Sequence, residues 1–254
     1  MNILVLMAGS SEKFQQAGYA YPKNLIEIAG KTVVEHFIEN IRCLDKDGNR
    51  FIFMVNEQDD LRYHTGSVIR LLMPGAEVIK VVNQTAGAAC TALLAIDHIQ
   101  NDQSLLIING DIVGDFRLDE ALDAFVTKNL DGGILVFEGV HPRWSYVKCD
   151  VNGIVVETAE KRPISKHATV GVYFFRQGED FVSAAMEMIK KDAQVDGSFF
   201  VCPTYNEMIL RQKQIGIYEI DRDAYFSLAT PQGLKIYEDH LKARAGGRRT
   251  GDES

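Results

Sequence analysis

The feature that most restricts what this chain can fold into is an alternation, through its first half, of short unbroken apolar runs with longer stretches carrying apolar side chains at helical spacing. Asn2-Ile3-Leu4-Val5-Leu6-Met7 is apolar beyond Asn2 and stops at Ala8-Gly9-Ser10-Ser11. A strand with one wet face would alternate polar and apolar residues, so an unbroken run of this length is the pattern of a strand buried on both faces. Residues 32–42 then set Val33, Val34, Phe37, Ile38 and Ile41 on one helical face, and 51–55 returns to strand character. The same reading makes 60–72 a helix, 77–82 a strand, 88–99 an Ala-rich helix and 105–108 another buried strand. Strands alternating with helices of this length are joined by right-handed crossovers and form a parallel sheet.

After Gly132-Gly133 the texture changes to short strands at 134–137, 145–150, 154–158 and 169–175. Asp150-Val151-Asn152-Gly153 reads as a hairpin with a type I′ turn, because Asn-Gly supplies positive φ. Helices over 179–191 and 200–212, a strand over 214–220 and a helix over 231–242 follow. The expected fold class is therefore α/β: a Rossmann-like, mixed, mainly parallel sheet flanked by helices, completed by a small antiparallel appendage. One domain over 1–242 is expected, with the Gly- and Arg-rich 243–254 as a flexible tail.

Composition narrows the partners. A net charge of −8 gives no general field for phosphate backbones, so nucleic acid is not expected. No apolar run reaches the roughly 18 residues of a membrane span, and the N-terminus lacks the basic start of a signal peptide. A cytoplasmic location, away from membranes, is the expectation. Cys43, Cys90, Cys149 and Cys202 show no CxxC spacing and the six histidines no HxH or HExxH grouping, so free thiols and no zinc cage are expected.

Ligands of open α/β sheets bind beyond the carboxyl ends of the strands, which directs attention to the loops that follow them. After the first strand come Leu6, Ala8, Gly9 and Ser10, small enough to let backbone N–H groups approach an anion, with Lys13 as a cation. Pro22 stiffens the turn before Lys23. Gln84 and Gly87 follow the third strand, where small residues let a flat ring lie against the backbone. Gly110-Asp111 ends the fourth strand, and a strand-tip carboxylate suits Mg²⁺, which is held by one or two carboxylates plus phosphate oxygens. Glu160-Lys161-Arg162-Pro163 supplies a further cation after the hairpin.

In order and spacing these segments resemble the nucleotidylyltransferases that make nucleotide-activated sugars. The resemblance extends from Leu6-Met7-Ala8-Gly9, Lys13-Phe14 and Pro22-Lys23 through Gln84, Gly87 and Gly110-Asp111. It continues through Pro142-Arg143-Trp144-Ser145-Tyr146-Val147, Glu160-Lys161-Arg162-Pro163 and Val170-Gly171-Val172-Tyr173-Phe174 to Thr230-Pro231. It implies a glycosyltransferase-A-like layer and an enzyme that joins an NTP, with a pyrimidine favoured, to a phosphorylated small molecule such as a sugar 1-phosphate. It also implies roles: Lys13 on the triphosphate, Lys23 on the α-phosphate, Asp111 on Mg²⁺, and Leu6, Ala8, Gly9, Ser10, Gln84, Gly87 and Gly110 around the nucleotide. Tyr146, Glu160, Lys161 and Gly171 would surround the acceptor, and homo-oligomerisation stays open.

Three positions depart from the family pattern. Lys13 replaces an Arg, Ser145 a common Gly, and Thr204 falls where a second metal-binding Asp is expected, leaving Asn206, Asp221 or Asp223 as substitutes. These departures keep a cytidylyltransferase acting on a non-sugar phosphate (phosphocholine, a polyol phosphate or an amino-acid-derived phosphate) for surface polysaccharide decoration as the alternative. A glycosyltransferase, whose DxD motif has its nearest match at the late Asp221-Arg222-Asp223, and a catalytically silent nucleotide-binding domain rank behind it.

Overall fold

A computed structural model describes residues 1–249 of the chain. Its centre is a nine-stranded sheet of β1 (Asn2–Leu6), β2 (Arg50–Asn56), β3 (Glu77–Val81), β4 (Leu105–Asn109), β5 (Gly132–Glu138), β6 (Ser145–Cys149), β7 (Val155–Glu160), β8 (His167–Phe175) and β9 (Ile215–Glu219). The N-terminal run takes the central place its composition demands. β1 lies parallel to β2 on one side and β4 on the other, and β3 extends the parallel set beyond β2. Side chains of β1 serve two cores in alternation. Ile3 and Val5 pack with Val34, Phe37 and Ile41 of the helix Val33–Ile41, whereas Leu4 packs on the opposite face with Ala92, Ile99 and Phe181. A residue that alternated to polar on either side would leave a polar group in a dry interior.

The second half enters the same sheet through β8. This strand runs antiparallel to β4 and β5, and its first residues pair with β6, which in turn pairs with β7. β9 returns parallel to β5. The register of β8 against β5 shifts between Thr169 and Tyr173. Gly171 lies in that irregularity at φ +92°, and a Cβ there would stand 2.5 Å from Asn109 Nδ2. Both the backbone angle and the close approach require glycine.

Several expected elements differ. The stretch 60–72 is two helices, Glu57–Tyr63 and Thr65–Leu72, separated by His64 at φ +57°. The Asp60 carboxylate draws the second helix out of line by accepting the Gly66 N–H at 2.7 Å. The Ala-rich 88–99 likewise divides into Ala88–Leu93 and Ile96–Ile99, and 200–212 shortens to Thr204–Leu210. A helix at Leu118–Thr127 has no counterpart in the sequence reading. The hairpin after β6 is not type I′: only Gly153 has positive φ, and Asp150 Oδ1 accepts from the N–H groups of Asn152 and Ile154. The Asp side chain, acting as a local acceptor, competes successfully with the two-residue turn. The last helix, Pro231–Arg249, starts with Thr230 Oγ1 accepting the Gly233 N–H and continues beyond the expected end at 242. Residues 250–254 of the expected tail lie outside the described residues.

Among the described residues no helix is long and apolar enough to cross a membrane. The four cysteines are unpaired, and burial raises the Cys149 thiol to about 11. The exposed His64 holds a left-handed backbone that costs a side chain with a Cβ about 1 kcal/mol. His64→Gly is therefore expected to stabilise the protein by up to about 1 kcal/mol, since relief of that strain outweighs the added freedom of the unfolded chain. Urea unfolding reads the shift, and a destabilised variant would refute the account of the helix break.

Candidate active site

The loops that follow the carboxyl ends of all four parallel strands converge on one cleft of about 630 Å³. β1 contributes Leu6, Ala8, Gly9 and Ser10, β2 contributes Asn56 and Asp59, β3 leads to Gln84 and Gly87, and β4 to Asn109 and Asp111. Lys23 enters from the side. Its position is built locally: Pro22 fixes the extended entry, Ser11 Oγ accepts the Lys23 N–H at 3.1 Å, and Asn24 Nδ2 donates to the Met7 carbonyl at 3.1 Å. The Lys23 ammonium then donates to Asp111 Oδ2 at 2.8 Å, with side chains only 8% and 18% exposed. Gly9 lies beneath this ammonium, with its Cβ position 3.3 Å from Nζ.

The loop after β3 is held rigidly. Thr91 and Thr85 hydroxyls both donate to the Gly87 carbonyl, and Phe199 exchanges backbone hydrogen bonds with Ala86 and Ala89. Gly87 has φ +119°, and a Cβ would meet the Phe199 carbonyl at 2.4 Å. Only glycine lets this loop lie so close to Phe199.

A second cavity of about 190 Å³ adjoins the first, and the two share Ala88 and Asn109. Glu160, Gly171, Ser145, Arg143, Trp144 and Tyr225 are among its walls. Ser145 donates its hydroxyl to the Glu160 carboxyl, whose pKa burial raises above the ordinary glutamate range, with the Ser145 hydrogen bond opposing. Tyr225 reaches this wall because Ile112–Gly114 pairs with Tyr225–Ser227 and the Leu228 N–H donates to the Asp111 carbonyl at 2.7 Å. Burial pushes the Tyr225 hydroxyl up to about 12, Asp111 adds to the shift, and Arg222 and Arg143 oppose it.

Of the residues singled out from sequence, Leu6, Ala8, Gly9, Ser10, Lys23, Gln84, Gly87 and Asp111 line the larger cleft, and Glu160 and Gly171 the smaller. Gly110 lies beneath the floor, where a Cβ would stand 2.2 Å from Met7 Cγ. Three others line neither cavity. Lys13 is exposed on the helix Glu12–Gln16. Tyr146 is fully buried, with its hydroxyl donating to the His141 carbonyl at 2.7 Å. Lys161 pairs with Asp196 at 2.9 Å. Asn206, a candidate metal ligand, spends its amide on both backbone groups of Thr158, and Asp221 caps a short turn by accepting from Asp223 N. The sequence reading passed over Asp59 and Asn109, although both stand at or just beyond strand ends where ligands bind. Burial raises the Asp59 carboxyl above the usual aspartate range while Lys23 pulls it down.

The fold is of the open α/β class, and its cleft lies across the ends of parallel strands, where folds of that class bind their ligands, beside a buried lysine–aspartate pair. The chain belongs to the nucleotidyl transferase family, whose sequence model matches residues 2–208. It is similar to the nucleoside-diphosphate-sugar pyrophosphorylase of Vibrio cholerae, with 25% identity and a TM-score of 0.81 over 93% of this chain and 99% of that one. A putative glucose-1-phosphate thymidylyltransferase of Bacillus anthracis shares the fold at 17% identity, with a TM-score of 0.72 over 94% of each chain. Among curated proteins, the bifunctional protein GlmU of Methanocaldococcus jannaschii is 24% identical over 78% of this chain and 48% of its own length. The chain thus spans about half the length of the curated relatives it matches.

Two outcomes follow from the site's electrostatics. Asp111→Ala leaves the Lys23 ammonium buried without its partner, so a stability loss of about 3 kcal/mol is expected, the lower end for breaking a buried pair. Urea unfolding of the single variants and of Lys23→Ala/Asp111→Ala checks it: two single losses that simply add would show that the pair is uncoupled. The raised Glu160 carboxyl favours its protonated form in the folded state. Its contribution is fully present below the ordinary glutamate pKa and is lost as pH rises through the raised value. Glu160→Gln should therefore gain stability relative to wild type as pH climbs above the ordinary glutamate range, and parallel pH–stability curves would contradict this.

Proposed function

We propose that the chain joins an NTP to a phosphorylated small molecule, in the first instance a sugar 1-phosphate, with release of pyrophosphate. The observation that carries this reading is the meeting of two cavities of unequal size at Asn109 and Ala88, beside the Lys23–Asp111 pair. The larger has room for a nucleotide; the smaller, with the Glu160 carboxyl and the backbone of Gly171, suits a hydroxylated acceptor. The name of the similar Vibrio cholerae protein, a nucleoside-diphosphate-sugar pyrophosphorylase, supports the same assignment.

An acceptor phosphate oxygen attacks the α-phosphorus of the NTP in line, the bond to the β-phosphate oxygen breaks, and pyrophosphate leaves. A phosphate monoester is largely dianionic at neutral pH, so no side chain need remove a proton from it. The protein's task is positioning and charge neutralisation. Lys23, released from Asp111, turns its ammonium to the α-phosphate, where the developing charge is greatest. Gln84 offers both a donor and an acceptor to a pyrimidine edge, and Gly87 lets the base lie against the backbone.

The donor set fits Mg²⁺. Asp111 presents a carboxylate with one oxygen not engaged by Lys23, and substrate phosphates complete the shell such an ion prefers. Bound there, Mg²⁺ supplies neutralisation of phosphate charge. Among the described residues no cluster of three or more His, Cys, Asp or Glu could hold a metal by itself, which makes the substrate's oxygens part of the site.

A non-sugar acceptor activated with CTP is the second reading, favoured by one observation. The Ser145 hydroxyl occupies one side of the Glu160 carboxyl and so reduces what remains for sugar hydroxyls. Pyrophosphate release from UTP, dTTP, CTP, ATP and GTP against sugar 1-phosphates, phosphocholine and polyol phosphates tests both readings. Release with sugar 1-phosphates and UTP or dTTP is expected, whereas turnover confined to CTP and a non-sugar phosphate would overturn the first reading. Lys23→Ala should lower kcat about 100-fold or more with a smaller effect on NTP affinity, as befits a charge acting at the reacting phosphorus. Loss confined to NTP affinity would refute that role.

A further inference from the structure

In the sheet β2 lies between β1 and β3. The residues that follow it therefore separate Gln84 and Gly87, beyond β3, from Gly9 and the Lys23–Asp111 pair, beyond β1 and β4. Neighbouring strands are about 4.8 Å apart, which sets the two sides of the cleft about 10 Å apart across β2, a span that a nucleoside covers. A nucleotide with its base at Gln84 and its α-phosphate at Lys23 thus lays its sugar over the end of β2. Three side chains from that end line the cleft, Asn56, Gln58 and Asp59. Asn56 spends its side-chain oxygen on the Asp59 N–H at 3.1 Å, in the first turn of the helix Glu57–Tyr63, and so fixes the Asp59 backbone. The Asp59 carboxylate itself accepts no hydrogen bond and forms no ion pair among the described residues. The acids near it are used differently: Asp60 is engaged by Lys80 at 2.8 Å and by the Gly66 N–H, and Asp111 by Lys23. Burial raises the Asp59 carboxyl while Lys23 pulls it down, so it stands in the field of that ammonium but beyond ion-pair distance.

We propose that Asp59 reads the sugar of the nucleotide, accepting hydrogen bonds from its 2′- and 3′-hydroxyls, and so makes the site selective for ribonucleoside triphosphates. The inference rests on the reading of the larger cleft as the nucleotide site. An ionised carboxylate only accepts, and its two oxygens match the two adjacent donors of a ribose, whereas the Gln58 amide offers a single acceptor beside two donors. Facing the triphosphate, the same charge would repel it, so the diol is the part of a nucleotide that gains from a free carboxylate. Dinucleotide-binding α/β folds use an acidic side chain on the ribose 2′-hydroxyl in the same way. Loss of that hydroxyl leaves a half-buried carboxylate short of a donor, which costs about tenfold in affinity. The proposal separates UTP from dTTP, which differ by this hydroxyl as well as by a methyl group.

Isothermal titration calorimetry with Mg²⁺ present, using UTP against dUTP, CTP against dCTP and ATP against dATP, compares nucleotides that differ only in the 2′-hydroxyl. The ribonucleotide of each pair that binds should bind about tenfold or more tightly than its deoxy partner. In Asp59→Ala this difference should vanish, chiefly through weaker ribonucleotide binding. Asp59→Asn, which keeps one acceptor oxygen without the charge, should retain part of it, and Gln58→Ala should retain all of it. Urea unfolding of Asp59→Ala should match wild type, because its carboxylate gives up no protein partner. Equal affinities within the pairs for wild type, a difference that survives in Asp59→Ala or disappears in Gln58→Ala, or an Asp59→Ala that weakens both members of a pair equally, as loss of a metal or phosphate contact does, would each overturn the proposal. Binding without preference for ribose would refute the role of Asp59 and leave the proposed reaction standing. Absence of binding by all six nucleotides would refute the nucleotide reading of the cleft, and the proposal with it.

Discussion

Everything at the site depends on β1 being dry on both faces. Because Ile3 and Val5 serve one core while Leu4 serves the other, the strand cannot lie at an edge of the sheet, and it takes a place inside the parallel set. Parallel neighbours on both sides then bring the carboxyl ends of β1, β2 and β4 to the same edge, with β3 alongside. The polar residues that follow those strands must leave the dry interior there, and they do so together. The cleft is thus a consequence of core packing: four loops with no sequence proximity open onto one space.

Within that space the Lys23–Asp111 pair sets the balance of charge. A lysine so nearly buried needs a counter-ion, and the aspartate at the tip of β4 supplies it. The pair also stores the two opposite charges that nucleotide chemistry calls for, a cation for phosphate and a carboxylate for a divalent ion, each neutralising the other while no substrate is bound. In the proposed reaction a metal-bearing triphosphate would exchange one set of pairings for another, so that neither charge is left bare. In the smaller cavity the charges are arranged differently. The Glu160 carboxyl is shielded by burial and by Ser145, and the nearby cation, Arg143, is braced by an aromatic ring rather than by an acid.

The seam between the two halves is where backbone geometry matters most. Gly171 at positive φ allows β8 to break register just where Asn109 closes β4, so the smaller cavity and the larger cleft adjoin. A side chain there would push Asn109 aside and separate the two. The ribbon of Ile112–Gly114 with Tyr225–Ser227 closes the seam from the other side and brings in Tyr225 from far along the chain.

The sequence by itself determined the parallel layer, because an unbroken apolar run, a helical stripe and a glycine-rich stop are local signals of burial on two faces, on one face and of chain reversal. It determined the cleft residues after β1, β3 and β4 for the same reason, since each immediately follows a strand. Tertiary structure alone decided the rest. That Asp60 would turn a continuous helical pattern into two helices, that Asp196 would engage Lys161, that Tyr146 would be buried, and that Arg143 would lie on Trp144 beside the smaller cavity all depend on where side chains meet in space. A cation reads alike in sequence whether it faces a substrate or an acid. Only packing, by fixing which partner lies within reach, distinguishes the two.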